Sequence, residues 1–315
     1  MKQYDTLISC IQWLIHPLVV VYGPTACGKT QAAIDIARLV SWEIISVDAR
    51  QIYRGLDIGT GKVTQEEMCG IPHALLDILS PDESFSVVEY RDRVRPILED
   101  IWNRWKTPIL CGGTGLYIDS IIFERSYVWK PPDTVRRREL EILVTERWKH
   151  HLWSMLSSLD PLTASRIHPN NHHAVIRAIE VFESQGIPKS SVRNTPTLLF
   201  PTCFYSPYDG DRAALYKRID ARVEQMFQIW LVEEVRDLHA RFPGAPGLDT
   251  IGYKEVIDYL DGMISLPACI TLVQQHSRNY AKRQITWNKK YDTFREKCES
   301  GHPCERWNMG RESEV

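Results

Sequence analysis

The stretch PLVVVYGPTACGKTQAAIDIARLV, Pro17 to Val40, decides the fold. Its opening PLVVVYG is a continuous apolar, β-branched run that closes on a glycine, the pattern of a parallel strand buried on both faces. GPTACGKT follows and fits G-x-x-x-x-G-K-T, a loop whose successive backbone N–H groups converge on a phosphate. KTQAAIDIARLV then has helical spacing, so the positive end of a helix dipole stands behind the loop. The candidate phosphate-binding residues are therefore Gly23, Pro24, Thr25, Ala26, Cys27, Gly28, Lys29 and Thr30. Lys29 supplies a point charge, and the Thr30 hydroxyl is a candidate ligand for Mg²⁺. Taken alone the motif points to bound ATP or GTP.

Working outward, WEIISVDA (42–49) and TPILCGGTG (107–115) read as two more buried strands. FSVVEYRDRVRPILEDIWNRWK (85–106) reads as an amphipathic helix capped by Ser84 or Ser86, with Pro96 placed to kink it. Strand, phosphate loop, helix and strand again predict an α/β fold, a P-loop doubly wound parallel sheet with ligands at the strand C-termini. After SIIFE the texture changes, and KPPD at 130–133 marks a boundary. From there to about Gly186 the pattern is all-helical. A strand-like PTLLFPTCFYSP (196–207) returns to the sheet, and one long helical run is expected over 211–242. A Gly/Pro-rich loop at 243–256 and a last helix follow. The expected organisation is a core over 1–130 and 191–292, an all-helical insertion at 131–190, and an irregular tail over 293–315.

Composition narrows the classes. A 43% hydrophobic fraction supports a sizeable core, and a net charge of -2 announces no global affinity for nucleic acid. The distribution is less even: residues 1–123 carry 11 Lys+Arg against 15 Asp+Glu, whereas 124–200 carry 11 against 8 and five of the ten His. A basic helical insert on an acidic core suggests a surface for a polyanion, although solvated helix faces give the same count. The longest apolar run is broken by His16 and Pro17, so no membrane span is expected. Eight scattered Cys with no C-x-x-C pair read as reduced thiols of a cytoplasmic protein. Cys298, His302 and Cys304 come nearest to a metal cluster, at a spacing that fits no common site.

An ATPase or kinase also wants an Asp at the end of a neighbouring strand. TPILCGG offers none, but EIISVD ends on Asp48. Asp48 could hold Mg²⁺ through water, serve as a base facing the loop, or simply cap the strand end. The segment after it, DARQIYRGLDIGTGK, is long, polar and glycine-bearing, unlike a kinase and suited to reading a substrate.

Seven blocks occur in order: GPTACGKT, ISVDARQIYRGLDIGTGK, GIPHALLDI, GGTGLYIDSII, LDPLTASRIHPNNHHAVIRAIEVF, IGYKEVIDYL and YAKRQITW. Together they resemble the tRNA dimethylallyltransferase family over about residues 18–290. The resemblance implies transfer of a dimethylallyl group from dimethylallyl diphosphate, with Mg²⁺, to the exocyclic N6 of the adenosine 3′-adjacent to the anticodon. It makes the phosphate loop the cradle of a diphosphate leaving group, Asp48 the base, Thr114 a group beside the reacting diphosphate, and Arg222 a counter-charge for the departing oxygens. It places tRNA contacts at Asp48, Ala49, Arg50 and Gln51, at Arg136, His173 and Arg177, at Thr250, Gly252, Tyr253 and Lys254, and at Lys282 and Arg283. The implied partners are a tRNA anticodon stem-loop and dimethylallyl diphosphate, with no membrane and a monomeric chain.

The chain departs from the family pattern at Cys27 and Ala49, where Ser is usual, at Asn171 and Ala174, where Asp and Arg are common, and at Trp230, where Gly is frequent. None of these removes Lys29, Thr30, Asp48, Thr114 or Arg222. The alternatives are an isopentenyltransferase of free adenine nucleotides, a P-loop kinase of a small metabolite, and a non-catalytic RNA-binding relative. The first would not need the basic helical insert, and the second predicts ATP turnover.

Overall fold

The computed structural model describes residues 4–11, 14–124, 134–145, 149–191 and 197–299. These fall into two compact units, one of residues 1–123 with 197–307 and one of 124–196 with 308–315.

The first unit is built on a five-stranded sheet. Its strands are β1 (Leu18–Val21), β2 (Glu43–Ser46), β3 (His73–Ala74), β4 (Pro108–Cys111) and β7 (Thr202–Tyr205), in the order β3-β2-β4-β1-β7. Every pairing is parallel. A continuous apolar run suits β1 because both of its faces are covered: Leu18, Val19, Val20 and Val21 are wholly buried. Register sets the level of the strand ends, with Val21 and Ser46 both opposite Cys111. The segments that leave β1, β2 and β4 therefore start side by side. The short strands β5 (Phe123–Glu124) and β6 (Thr197–Leu198) make a separate two-stranded sheet.

Around the main sheet run α1 (Asp5–Ile11), α2 (Lys29–Val40), α3 (Gln65–Met68), α4 (Val87–Asn103) and α5 (Gly115–Ile122). Ser86 caps α4 in a reciprocal capping box with Glu89. From α2, Ala32, Ala33, Ile34, Ile36 and Ala37 are buried. The second unit contains α6 (Thr134–Thr145), α7 (Lys149–Leu159), α8 (Pro161–Ala164) and α9 (His172–Gln185), packed on a core that includes Leu140, Leu152, Leu156, Val175 and Ile179. Asn171 caps α9 by accepting from the Ala174 amide, so the exchange of the usual Asp leaves the cap in place. The chain of the first unit then closes with α10 (Arg212–Gln228), α11 (Leu231–Arg241), α12 (Tyr253–Leu260) and α13 (Leu266–Glu299).

Three expectations need correction. The single helix over 211–242 is two helices, interrupted at Trp230, whose φ of 81° lies in the left-handed region. The Gly/Pro-rich segment is not loop throughout, because α12 starts at Tyr253, behind Gly252 with φ 96°. The irregular tail expected from Thr293 is helical as far as Glu299, since Phe294 is buried and holds that turn in the core. Of the 196–207 segment only β7 joins the main sheet. KPPD, His302 and Cys304 lie outside the described residues. Among the described helices none is long and apolar enough to cross a membrane.

Packing does not offset the strain at Trp230, which is 68% exposed. A non-glycine residue in the left-handed region costs about 1–2 kcal/mol, and the freer unfolded chain of a glycine cancels part of the gain from replacing it. Trp230→Gly is expected to raise unfolding stability by about 0.5–1 kcal/mol. A higher urea midpoint with an unchanged slope is the measurement that checks it.

Candidate active site

The phosphate loop leaves β1 at Gly23, whose φ is 145° and whose missing side chain makes room for Cys27: an added Cβ would stand 2.7 Å from Cys27 Sγ. Cys27 is buried against Leu215, Ile219 and Ala281. The residue that departs from the family pattern thus faces the protein interior, where a thiol behaves as a small apolar group. Lys29 Nζ donates to the Pro24 carbonyl at 2.7 Å, folding the ammonium back over the loop. One buried side chain ties the loop to the segment after β4. Gln284 Oε1 accepts from the Thr25 amide at 2.7 Å, and Gln284 Nε2 donates to the Gly113 carbonyl at 3.0 Å.

Gly112 and Gly113 are required by close approach. A Cβ at Gly112 would stand 2.1 Å from the Val47 carbonyl oxygen, and one at Gly113 would stand 2.1 Å from Gln284 Nε2. This contact draws the ends of β2 and β4 together, and the Thr114 amide donates to that same Val47 carbonyl at 3.1 Å. Thr114 occupies the N-cap position of α5 without making the side-chain cap bond. Its Oγ1 instead accepts from the Ala49 amide at 3.0 Å, next to Asp48.

Asp48 fills the strand-end role directly and also reaches the site. Its Oδ1 accepts from the Arg50 amide at 2.9 Å and the Gln51 amide at 3.4 Å, which turns the chain after β2. The same residue lines a cavity of about 940 Å³ together with Thr25, Lys29, Thr30, Thr114 and Arg222. Tyr280 of α13 also lines it. Burial, and then the Asp48 carboxylate, push the Tyr280 hydroxyl up to about 12, so at neutral pH it stays a neutral hydrogen-bonding group. The acid, the hydroxyls and the phosphate loop therefore share one chamber.

Arg222 comes to that chamber from α10. Its Nη1 donates to Thr25 Oγ1 at 3.5 Å. Burial lowers the guanidinium's pKa, opposed by the carboxylates of Asp48 and Glu67. The space it occupies is the space a side chain at 61 would need, because a Cβ on Gly61 would stand 1.4 Å from Arg222 Nη2. The loop carrying Gly61 is held in turn by Glu234 of α11. Glu234 accepts from the amides of Ile58 at 2.8 Å, Gly59 at 3.2 Å and Asp57 at 3.3 Å, and from the Tyr253 hydroxyl at 2.5 Å. Gln51 Nε2 ties down the same loop by donating to the Thr60 and Gly61 carbonyls. Lys62, its side chain only 5% exposed, bonds Asp57, Asp77 and the Tyr53 carbonyl.

The residues assigned to RNA contact divide. Ala49, Arg50, Gln51, Lys254 and Arg283 line the cavity, and the Arg283 guanidinium lies 5.6 Å from the Tyr280 ring centroid. Lys282 is exposed. Tyr253 is wholly buried with its hydroxyl on Glu234, so its side chain is a post under the loop. Gly252 is likewise buried, its amide donating to Glu255. Thr250 lines the cavity, yet it is buried and its hydroxyl donates to the Gly247 carbonyl at 2.6 Å. Arg136, His173 and Arg177 belong to the second unit. There Arg136 is bound by Glu183 and Glu139, Arg177 shares Glu180 with Arg137, and His173 is exposed. Three of the eleven basic residues counted over 124–200, Arg136, Arg137 and Arg177, are thus matched by carboxylates of the same unit.

No group of three or more His, Cys, Asp or Glu residues suited to a metal ion occurs among the described residues. A Mg²⁺ ion at Thr30 would depend on substrate oxygens and water for its other ligands, a mode that this small, strongly hydrated ion favours.

The family model described as IPP transferase matches residues 51–291. The chain belongs to the IPP transferase family. Among similar proteins, the tRNA dimethylallyltransferase of Geobacillus thermodenitrificans is 45% identical over 277 residues, 87% of this chain and 88% of the relative. That of Oceanobacillus iheyensis is 40% identical over 278 residues, 86% and 87% of the two chains. Among solved structures, the tRNA isopentenylpyrophosphate transferase of Bacillus halodurans matches at a TM-score of 0.63 with 40% identity, covering 86% of each chain. A eukaryotic dimethylallyltransferase acting on tRNA matches at 0.75 with 28% identity, covering 87% of this chain and 70% of that one. For this IPP transferase, the sequence reading misses Glu234, Tyr280 and the space-giving role of Gly61. The glycine pair at 59 and 61 is the one available signal, since glycine on a substrate-facing loop marks a close approach.

Gly61→Ala is expected to displace Arg222 and to copy Arg222→Ala. A loss of at least about 100-fold in kcat/KM, the scale of one lost charge-stabilising donor, is expected in both, with a lowered melting temperature in Gly61→Ala, since residue 61 has a φ of 56°. Parallel kinetics and thermal unfolding of the two variants check it.

Proposed function

We propose that this IPP transferase moves a dimethylallyl group from dimethylallyl diphosphate to the exocyclic N6 of the adenosine 3′-adjacent to the anticodon of a tRNA, yielding N6-dimethylallyladenosine and diphosphate. The observation that carries the reading is the shared chamber, lined by Asp48, Thr114, Lys29, Thr30 and Arg222 together. A kinase needs a phosphate loop, but a carboxylate and a hydroxyl sharing a chamber of this size with it suit a reaction in which the phosphates leave and a base is taken up. The names of the similar proteins, tRNA dimethylallyltransferases, support the substrate pair.

The phosphate-loop amides, Lys29 and Arg222 would hold the diphosphate and stabilise the charge that develops on it as the allylic C–O bond breaks. A Mg²⁺ ion at Thr30, when bound, supplies further neutralisation of that charge. The adenine must leave its stack to enter such a chamber. N6 then forms the new bond to carbon, and Asp48 accepts the N6 proton. Since the amino group is a weak nucleophile, holding it in line with the allylic carbon matters more than the strength of the base. The Thr114 hydroxyl, fixed through the Ala49 amide, orients groups between base and diphosphate.

The deciding assay offers radiolabelled dimethylallyl diphosphate with Mg²⁺ to unmodified tRNA, AMP and ATP in parallel. Label is expected on tRNA. Label on AMP but not tRNA overturns the acceptor, and ATP consumption without prenyl transfer overturns the reaction class. Asp48→Asn retains an oxygen for the Arg50 and Gln51 amides but accepts no proton. It is expected to lower kcat by about 10²–10⁴-fold while leaving tRNA affinity within about threefold. A fully active Asp48→Asn enzyme removes Asp48 from the base role.

A further inference from the structure

Ala26 is the one non-glycine residue of the phosphate loop with a positive φ, 60°, in the left-handed region that side chains disfavour. Its carbonyl accepts from Arg218 Nε at 3.1 Å, a bond between residues 192 positions apart. Arg218 stands four residues before Arg222 on α10, so the two lie on one face of the helix. Arg222 reaches Thr25 and Arg218 reaches Ala26, consecutive residues of the loop. Between the two arginines Ile219 is buried against Cys27. The helix thus grips the loop at three successive positions, 25, 26 and 27, with only the middle one under backbone strain.

We propose that Arg218 is a positioning residue for the diphosphate site, pinning Ala26 in its left-handed conformation so that the loop amides stay aligned on the phosphates. This rests on the reading of the loop as a diphosphate cradle. The carbonyl of Ala26 and the amide of Cys27 are antiparallel members of one planar peptide. With the carbonyl held on Arg218, the amide is directed to the opposite side. Release of the carbonyl lets Ala26 relax out of the left-handed region and swings the amide with it. Arg218 touches neither reacting atom and acts through the loop.

The test uses the full chain as wild type, Arg218→Ala, Ala26→Gly and Arg218→Ala/Ala26→Gly. Binding of inorganic pyrophosphate with Mg²⁺ is measured by calorimetry, alongside tRNA affinity. Arg218→Ala is expected to weaken pyrophosphate binding about fivefold while leaving tRNA affinity within about twofold, the scale of one lost hydrogen bond. Ala26→Gly, which removes the strain, is expected to restore the double variant to within about twofold of wild type. Wild-type affinity in Arg218→Ala overturns the proposal, as does a double variant no better than Arg218→Ala, which would assign the loss to the charge of Arg218 alone. Hydrogen exchange of the amides at 26–30 without ligand supplies a readout independent of pyrophosphate. Faster exchange in Arg218→Ala is expected, and unchanged exchange overturns the proposal. A wild type that takes up no pyrophosphate sinks the diphosphate reading instead, and the exchange result then decides on Arg218.

Discussion

The backbone of Gly112 passes so near the Val47 carbonyl that no side chain fits between them, and the site depends on that approach. It brings the segment after β4 against the segment after β2, both at the level where β1 releases the phosphate loop. Thr114 can then take its bond from Ala49 instead of capping its own helix. A bulkier residue at 112 would force apart the two segments that carry the acid and the hydroxyl. The parallel sheet delivers three chain segments to one edge, and the glycine lets two of them touch.

A second layer of constraint comes from the C-terminal helices. Gln284 joins the Thr25 amide to the Gly113 carbonyl, so α13 sets the spacing between the phosphate loop and the Gly pair. Glu234 gathers three successive amides of the loop that carries Gly61. Ile52, Tyr53 and Leu56 root the other end of that loop in a core shared with Leu231, Val235 and Tyr253. A segment that is polar and glycine-rich in sequence is thereby anchored at both ends. Charge-assisted bonds of this kind are the stronger class, and the Glu234 carboxylate takes four donors at once.

What the sequence discloses follows the range of the physics involved. The strand–loop–helix unit at 17–40 is local, governed by apolar periodicity and glycine placement, and it is legible directly. So are the strand β2, which ends at Ser46, two residues before Asp48, and the helix cap, which falls on the second of the two serines the sequence offers, Ser86. The break at Trp230 is not, because a tryptophan in the left-handed region contradicts its own propensity and is imposed by the packing of Leu231 and its neighbours. The burial of the Tyr253 side chain is likewise hidden, because a motif aligns residues without stating which side of the backbone they face. Glu234 and Tyr280 gain their meaning only from partners far along the chain, and nothing in their immediate neighbours announces those partners.

Cys27 has a wider consequence. Its sulfur sits among Leu215, Ile219 and Ala281, so the fifth position of the loop is shaped by volume and not by phosphate. Residues 27, 215, 219 and 281 share one buried cluster, so a larger side chain at 27 needs room made by the others. Drift in the packing of α10 against α13 can therefore rewrite a letter inside the nucleotide-type signature while the surface offered to the ligand stays the same. In such a loop, identity at one position measures the history of the core behind it.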